Sequence, residues 1–194
     1  MNKIIKKQTI EKFLESLSSK SPIPGGGTAA ALAGTLAASL VEMVTNLTIG
    51  NQNYVKVKKE IEELNEQSTK FKKRLLELAD EDSKAFEEVV AAYRIEKSNQ
   101  SRESRIEKAL KQATEIPLET ALLSNEVNKL ARVISKIGNK HAQSDALSAL
   151  YLSKAATFAA LENVKINLRS ITDKRFKKRI EDGINNLGLP NCRC

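Results

Sequence analysis

The sequence predicts an all-α protein, an antiparallel helical bundle of about six or seven helices in a single domain over 1–194. Alanine, leucine, lysine and glutamate dominate the composition, and these residues favour helix. Apolar residues recur at steps of three and four over long stretches, and no stretch shows the strict alternation of a half-buried strand. With 41% hydrophobic and 29% charged residues, the 194-residue chain is long enough to bury one core.

The first two predicted helices flank a stretch rich in proline and glycine. A short amphipathic helix is predicted over 9–19, and Pro22 and Pro24 end it and hold the following residues extended. The second helix is predicted from Thr28, as its N-cap, to about residue 48, where Gly50 closes it. One face of this helix is nearly bare of side chain and would suit a core or a subunit interface, because small residues recur every fourth position: Ala30, Gly34 and Ala38.

The longest predicted helix covers 55–93 and carries a carboxylate on its inward seam. The seam follows steps of three and four: Ile61, Leu64, Ser68, Phe71, Leu75, Leu78, Asp82, Ala85, Val89 and Ala92. Asp80 and Glu81 lie off this seam. Burying the Asp82 carboxylate costs several kcal/mol unless it is paired, hydrogen-bonded or protonated, so Asp82 is a candidate for catalysis or ligand binding. The alternatives are a structural aspartate bonded to a neighbouring helix, or a seam that opens to solvent here.

Four further helices are predicted in the second half of the chain, followed by a loose tail at 185–194. Pro117 is expected to open a helix, since a first turn tolerates proline. Gly138 and Asn139 are expected to close that helix with a left-handed residue. The predicted bounds of the four helices are about 101–115, 117–137, 141–168 and 173–187.

Two polar groups in this half are candidate ligand contacts. Ser144 and Asp145 fall in the first turn of a helix just after Asn139, where simple capping is the alternative to a binding role. Asn163 and Asn167 are four residues apart and share a helix face. Two neutral amides on one face suit the hydrogen-bonding edge of a heterocycle.

The run PGGGT at 24–28 is a candidate ligand seat, although it is not a phosphate loop. No Gly-Lys-Ser/Thr ends it, and no strand precedes it as a dinucleotide fingerprint requires. Gly25, Gly26 and Gly27 would let a ligand approach the backbone at a helix N-terminus, where free N–H groups are exposed. The alternative is a flexible linker, which the two preceding prolines disfavour.

Composition and charge narrow the function further. The net charge of +8 raises nucleic acid as a partner, but aromatics are only 4% and basic residues alternate with glutamate, so a small polyanionic ligand is favoured. Cys192 and Cys194 form no cluster with His141, the single histidine, so no metal site is expected and His141 is given no role. The start lacks a secretory signal, and the apolar run 28–41 is too short to span a bilayer, so we expect a cytoplasmic protein without membrane contact.

Taken together, these segments resemble the cyclodeaminase/cyclohydrolase family of folate enzymes. The matching elements occur in family order over about 9–176 and are SPIPGGGTAAALAG, LTIG, LADEDSKAF, EIPLE, GNKHAQSDA and NVKINL. The resemblance implies an all-helical homodimer acting on a tetrahydrofolate one-carbon unit, with or without a polyglutamate tail, and without metal or redox cofactor.

The resemblance also implies roles for individual residues. The catalytic carboxylate of the family falls on Asp82, the residue that the seam selects independently. The implied substrate-binding residues are Gly25, Gly26, Gly27, Thr28, Asn139, Ser144, Asp145, Asn163 and Asn167. The expected activity is formiminotetrahydrofolate cyclodeaminase, which forms 5,10-methenyltetrahydrofolate and ammonia. The alternatives are methenyltetrahydrofolate cyclohydrolase, or a non-catalytic folate-binding or adaptor protein that kept the fold.

Overall fold

A computed structural model of the protein describes residues 4–188 and confirms the all-α prediction. No strand occurs among these residues. Short 3₁₀ helices at Ile5–Lys7, Gln52–Val57 and Lys140–Ala142 accompany the α-helices. Six α-helices make up the described part of the chain: α1 (Ile10–Leu17), α2 (Gly26–Ile49), α3 (Lys58–Tyr93), α4 (Arg102–Ile137), α5 (Gln143–Arg169) and α6 (Lys174–Asn185).

Helices α2 to α5 form an antiparallel four-helix bundle. Thr28 near the start of α2 bonds to Asp82 late in α3, whereas Thr45 late in α2 bonds to Asn65 early in α3, so the two helices run in opposite directions. Helix α5 packs against both α4 and α2, which closes the bundle. As a result, the first turn of α2 and the last turns of α5 lie at the same end of the bundle.

The predicted inward seam of α3 lies in the core. Ile61, Leu75 and Leu78 are fully buried, and the rest of the seam is buried or half-buried. The bare face of α2 packs in this core as well, where Gly34 meets α3 and α4. A Cβ atom at Gly34 would lie 2.6 Å from Ser124 Oγ, so a larger residue would force the Ser124 side chain to move.

Within residues 4–188, α2 is the one helix that is long and apolar enough to cross a membrane. Its most apolar window has a mean hydropathy of 1.4. Half of that window is buried inside the bundle. The core helix of a globular protein passes the same test of length and composition.

Two predicted helix starts are wrong. Helix α2 begins at Gly26 with Gly25 as its N-cap, so Thr28 is not the cap and lies inside the first turn, fully buried. Its hydroxyl points to α3 rather than to the free N–H groups of its own helix. Helix α3 begins at Lys58 rather than residue 55, because Asn51 caps a 3₁₀ helix that occupies the intervening residues.

The predicted break at Pro117 is also wrong, because α4 continues through it as one 36-residue helix. Proline lacks the N–H that would bond to the carbonyl of Ala113, four residues earlier. The side chain of Asn167 on α5 donates to that carbonyl at 2.7 Å. A tertiary hydrogen bond therefore replaces the missing helical one and keeps the proline inside the helix.

The turn between α4 and α5 differs from the prediction too. Gly138 is extended (φ −80°, ψ −179°), and no residue other than glycine has a positive φ among those described. Hydrogen bonds from Asn139 to the end of α2 hold this turn instead of a left-handed cap. The bounds of α5 and α6 agree with the predicted helices within two residues at each end. Residues 189–194 of the predicted tail, with both cysteines, lie outside the described part of the chain.

Candidate functional site

Asp82 faces the first turn of α2, and hydroxyl groups surround it. Its Oδ2 accepts a hydrogen bond from Thr28 Oγ1 at 2.8 Å. The backbone N–H of Thr28 donates to the same carboxylate. Ser83 Oγ lies 3.1 Å from Thr28 Oγ1, so the carboxylate and two hydroxyl groups form one connected chain. The seam therefore selected a residue that contacts a second predicted site residue directly.

The glycine run provides the space for this carboxylate. A Cβ atom at Gly27 would lie 2.2 Å from Asp82 Oδ1, which is far inside van der Waals contact. Gly27 is therefore required by the approach of Asp82 itself, whereas the sequence suggested the approach of a ligand. At Gly26 an added Cβ atom would stand 3.4 Å from Asn163 Nδ2, so α5 contributes its amide to the same place.

Burial raises the pKa of the Asp82 carboxyl above its ordinary value, and the hydrogen bonds from Thr28 partly oppose this rise. Among the ion pairs of residues 4–188, none involves Asp82. A buried carboxyl without a cation exchanges its proton closer to neutral pH than a solvated one does. Such a group suits general acid–base chemistry.

Asn163 and Asn167 share a helix face, but their side chains donate hydrogen bonds to different helices. Asn163 Nδ2 donates to the carbonyl of Ala159 at 2.8 Å, and its amide adjoins Gly26. Asn167 bonds to the carbonyl that Pro117 leaves free. The structure thus brings Asn163 into the Asp82 cluster and gives Asn167 a role in holding α4 to α5.

We name the cluster of Gly26, Gly27, Thr28, Asp82 and Asn163 the glycine end of the bundle. A cleft of about 460 Å³ opens beside it, between the N-terminal segment and α3. Its lining includes Ser83, the last hydroxyl of the chain that starts at Asp82, and Pro24. This volume lies within the range of small-molecule pockets, roughly 300–1,000 Å³.

The other three predicted binding residues lie at the opposite end, which we name the asparagine end: Asn139, Ser144 and Asp145. The N–H of Asn139 donates to Thr48 Oγ1 at 2.9 Å, near the last residue of α2. Thr28 and Thr48 are separated along α2 by about 30 Å, at 1.5 Å per residue. Within one chain, therefore, the glycine end and the asparagine end do not form one pocket.

The residues of the asparagine end differ in how their polar groups are used. Asn139 is fully engaged, because its side chain also donates to Leu47 and accepts from the N–H of His141. Ser144 is exposed and Asp145 is half-buried. Among the described residues, no hydrogen bond or ion pair uses the side chain of either.

Sequence reasoning missed an ion cluster that joins α3 to α4 and includes Glu81, the residue before Asp82. Arg74 donates to Glu81 at 2.6 Å and to Glu119 at 2.7 Å. These carboxylates raise the pKa of the Arg74 guanidinium further. The spacing of seven between Arg74 and Glu81 was a possible signal, since it places both residues on one flank of the helix.

Residues 4–188 contain no candidate metal centre. No group of three or more histidine, cysteine, aspartate or glutamate residues is arranged to hold an ion within residues 4–188. The expectation of a metal-free reaction remains a prediction.

The family model, the related sequences and the solved structure that match this chain all point to one family. The family model described as formiminotransferase-cyclodeaminase matches residues 9–186. A methenyltetrahydrofolate cyclohydrolase of Methylorubrum extorquens is 38% identical over 173 residues, which are 87% of this chain and 83% of that protein. A formimidoyltransferase-cyclodeaminase of Gallus gallus is 31% identical over 85% of this chain, which spans only 31% of that protein. The crystal structure of formiminotetrahydrofolate cyclodeaminase from Thermotoga maritima superimposes with a TM-score of 0.87 at 29% identity, covering 95% of this chain and 90% of that one.

Proposed function

Because the chain belongs to the formiminotransferase-cyclodeaminase family, we propose that it is a folate one-carbon enzyme. Its proposed reaction is that of formiminotetrahydrofolate cyclodeaminase, which closes a ring between N5 and N10 of the substrate and releases ammonia. The observation that supports this most is the half-buried carboxyl of Asp82, which lies against Gly27 and has no cation partner among the described residues. A reaction that moves one proton between two nitrogens needs such a group.

In the proposed mechanism, 5-formiminotetrahydrofolate binds with its formimino nitrogen protonated. N10 attacks the formimino carbon and forms the new C–N10 bond, and the C=N π electrons move to the exocyclic nitrogen, which becomes an amino group. The intermediate carries three nitrogens on that carbon. Asp82 donates its proton to the amino group, the C–N bond breaks with its electron pair on nitrogen, and ammonia leaves. The proton lost by N10 returns to the carboxylate, so Asp82 ends in its starting form and the product is the 5,10-methenyl cation.

The residues around Asp82 have distinct tasks in this proposal. Thr28 holds the carboxyl through two hydrogen bonds, and Gly27 leaves room for it. The carboxylate that forms during transfer lies near the cationic amidine carbon and stabilises it in a site from which water is partly excluded. Gly25, Gly26 and Asn163 present polar groups at the rim and are proposed to bind the pterin.

Methenyltetrahydrofolate cyclohydrolase is a second candidate, favoured by the 38% identity to a cyclohydrolase that this chain matches over most of its length. In that reaction water adds to the methenyl carbon and the C–N5 bond breaks, which yields 10-formyltetrahydrofolate and one proton. Asp82 would accept the proton from the attacking water. Both reactions therefore depend on the same carboxyl.

The assay that separates the two supplies purified protein with each substrate and follows the methenyl absorbance. A cyclodeaminase makes the absorbance appear from 5-formiminotetrahydrofolate, with one ammonia per turnover. A cyclohydrolase makes it disappear from the methenyl compound faster than in buffer. Folate binding without either turnover would contradict the enzyme proposal and support the non-catalytic alternative.

The proposed reaction needs no added metal or redox cofactor, so activity should survive dialysis against EDTA. We further propose that the enzyme is a cytoplasmic homodimer, and that its positive charge of +8 attracts a polyglutamate tail. Raising the salt concentration should then increase KM for polyglutamylated substrate more than for the monoglutamate.

A further inference from the structure

Thr28 uses its hydroxyl group differently from other buried threonines of the bundle. The hydroxyls of Thr48, Thr114 and Thr157 each donate to the carbonyl four residues earlier in their own helix. Thr28 is fully buried as well, but its hydroxyl crosses from α2 to α3 and donates to Asp82. The bond from Thr28 is therefore a tertiary contact, unlike the local bond with which a helix commonly satisfies a threonine hydroxyl.

Ser83 continues this contact from Thr28 to the cleft beside the glycine end. Its Oγ lies 3.1 Å from Thr28 Oγ1, and either hydroxyl can donate to the other. Ser68, a buried serine earlier on the same helix, donates to the carbonyl of Asn65 instead. Ser83 is 8% exposed and lines the cleft of about 460 Å³ between the N-terminal segment and α3. Two hydroxyl groups therefore link Asp82 to the cleft, over distances of 2.8 and 3.1 Å.

The two hydroxyls can carry hydrogen bonds in either direction. When Asp82 is ionised, Ser83 donates to Thr28 and Thr28 donates to the carboxylate. When Asp82 is protonated on Oδ2, the carboxyl donates to Thr28 and Thr28 donates to Ser83, whose own proton points to water in the cleft. Neither protonation state leaves a buried hydroxyl without a partner, so the arrangement suits a carboxyl that gains and loses a proton during a reaction.

We propose that Thr28 and Ser83 form a proton relay through which Asp82 passes a proton to the cleft. The inference rests on the proposed function, and within it on the cyclohydrolase reaction. There Asp82 takes one proton from the attacking water, and the second proton of that water moves to N5 as the C–N5 bond breaks. The carboxyl must lose its proton before the next turnover. Substrate at the glycine end covers the carboxyl on one side, and the relay gives the proton a route on the other.

Each transfer in the relay exchanges one O–H bond for another. The Asp82 O–H bond breaks as Thr28 Oγ1 gains the proton, the original Thr28 proton moves to Ser83 Oγ, and the original Ser83 proton moves to water. Rotation of the two hydroxyls then restores the starting arrangement with an ionised carboxylate. Glu87, one turn after Ser83 on α3, and Glu15 on α1 also line the cleft and are exposed, so both can pass the proton to bulk solvent.

Removing one hydroxyl tests the relay while the carboxyl stays in place. Ser83→Ala should lower kcat for 5,10-methenyltetrahydrofolate by about tenfold at unchanged KM, less than the roughly 10²–10⁴-fold of a group that exchanges protons with substrate directly. Ser83→Thr keeps the hydroxyl and should recover most of the rate. Ser68→Ala is the matched control, because it removes a buried hydroxyl from the same helix outside the relay and should keep the wild-type rate. Circular dichroism verifies that each variant is folded.

Solvent deuterium isotope effects distinguish a relay from a structural role of Ser83. With wild-type protein, kcat in mixtures of H₂O and D₂O should fall along a bowl-shaped curve, because several protons move together. Ser83→Ala should give a linear dependence, because the chain of moving protons is broken. A wild-type kcat in Ser83→Ala, a curve that this variant retains, or an equal loss of rate in Ser68→Ala would each refute the relay.

Failure of the relay and failure of the proposed function give different results. Any of the refuting results above leaves wild-type turnover, and with it the proposed function, intact. Wild-type protein that turns over 5-formiminotetrahydrofolate alone would also refute the relay, because Asp82 then ends each turnover in its starting form. Wild-type protein that turns over neither folate would refute the proposed function together with the relay.

Discussion

Asp80 and Asp82 lie two residues apart on α3, and the structure gives them opposite surroundings. Asp80 is 8% exposed beneath the N-terminal segment, where it accepts the N–H of Ile5 at 2.5 Å and lies 3.8 Å from the ammonium of Lys6. Asp82 points to the first turn of α2, where it meets hydroxyl and backbone N–H groups of Thr28 but no cation.

The difference in partners, rather than burial, singles out Asp82 as the candidate for catalysis. Asp80 is buried, accepts the N–H of Ile5 and lies near the ammonium of Lys6, so it ties the N-terminal segment to the bundle. Asp82 is half-buried without a cation, so desolvation raises the pKa of its carboxyl, and the hydrogen bonds from Thr28 partly oppose the rise. The first arrangement holds the N-terminal segment in place, and the second suits the proton transfer proposed for Asp82.

The largest effect is expected at the contact that sets the position of Asp82. Gly27→Ala would place a Cβ atom 2.2 Å from Asp82 Oδ1, so the carboxyl or the first turn of α2 must move. A shift of about 1 Å at a catalytic group costs roughly 100-fold in kcat. Gly183→Ala on α6 is the matched control, because its Cβ atom would meet only Leu118 Cδ2, at an ordinary contact distance of 3.7 Å. Equal turnover by both variants would mean that the position of Asp82 does not matter.

The next largest effect is expected on the stability of the fold when Asp80 is replaced. Asp80→Ala leaves the buried N–H of Ile5 without its acceptor and should lower the free energy of unfolding by about 2 kcal/mol. Urea unfolding followed by circular dichroism measures this change. Lys6→Ala should cost under about 1 kcal/mol, since that ion pair is half exposed. Turnover per folded molecule should stay unchanged in Asp80→Ala; a large loss would show that Asp80 is not merely structural.

A smaller effect separates structural from substrate-binding roles for the two amides on α5. Asn167→Leu should lower the free energy of unfolding by about 1–2 kcal/mol, because the Ala113 carbonyl loses its donor. Adding Pro117→Ala restores a helical N–H for that carbonyl and should recover most of the loss. The measurement is a double-mutant cycle by denaturant unfolding. If the cycle shows no coupling while KM rises, Asn167 contacts substrate instead.

The smallest effect is the pH dependence of stability at Asp82. The folded protein holds this proton more tightly than the unfolded chain, whose ordinary carboxyl pKa is 3.8. The stabilising contribution of Asp82 is therefore present below the unfolded pKa and is lost as the pH rises through the raised folded pKa. Unfolding of the wild type and Asp82→Asn at pH 4 and pH 8 should show the variant gaining relative stability at the higher pH. An unchanged difference would contradict the raised pKa.

The features that depend on spacing along the chain could be predicted from the sequence. The seam of α3 identified Asp82, and the small residues of α2 identified a close helix contact, because periodicity reports directly which face is buried. The failures depend on tertiary partners that local signals do not contain. Pro117 stays inside a helix because Asn167 arrives from α5, and Asp80 is buried because the N-terminal segment folds over it.

The candidate site was partly predictable for the same reason. The sequence grouped all the matching motifs into one pocket, although Asn139 lies at the far end of α2 from Asp82. A set of motifs does not reveal how far apart the fold places its members.

The most direct test of the proposed function compares isosteric variants at the two aspartates. Asp82→Asn and Asp80→Asn each replace one carboxyl by an amide, and kcat is measured with both folate substrates after each variant is shown to be folded. We predict a loss of about 10²–10⁴-fold for Asp82→Asn, the range expected for a general acid–base group, and less than about threefold for Asp80→Asn. Wild-type turnover by Asp82→Asn, or equal losses in the two variants, would contradict the assignment of Asp82 as the catalytic residue.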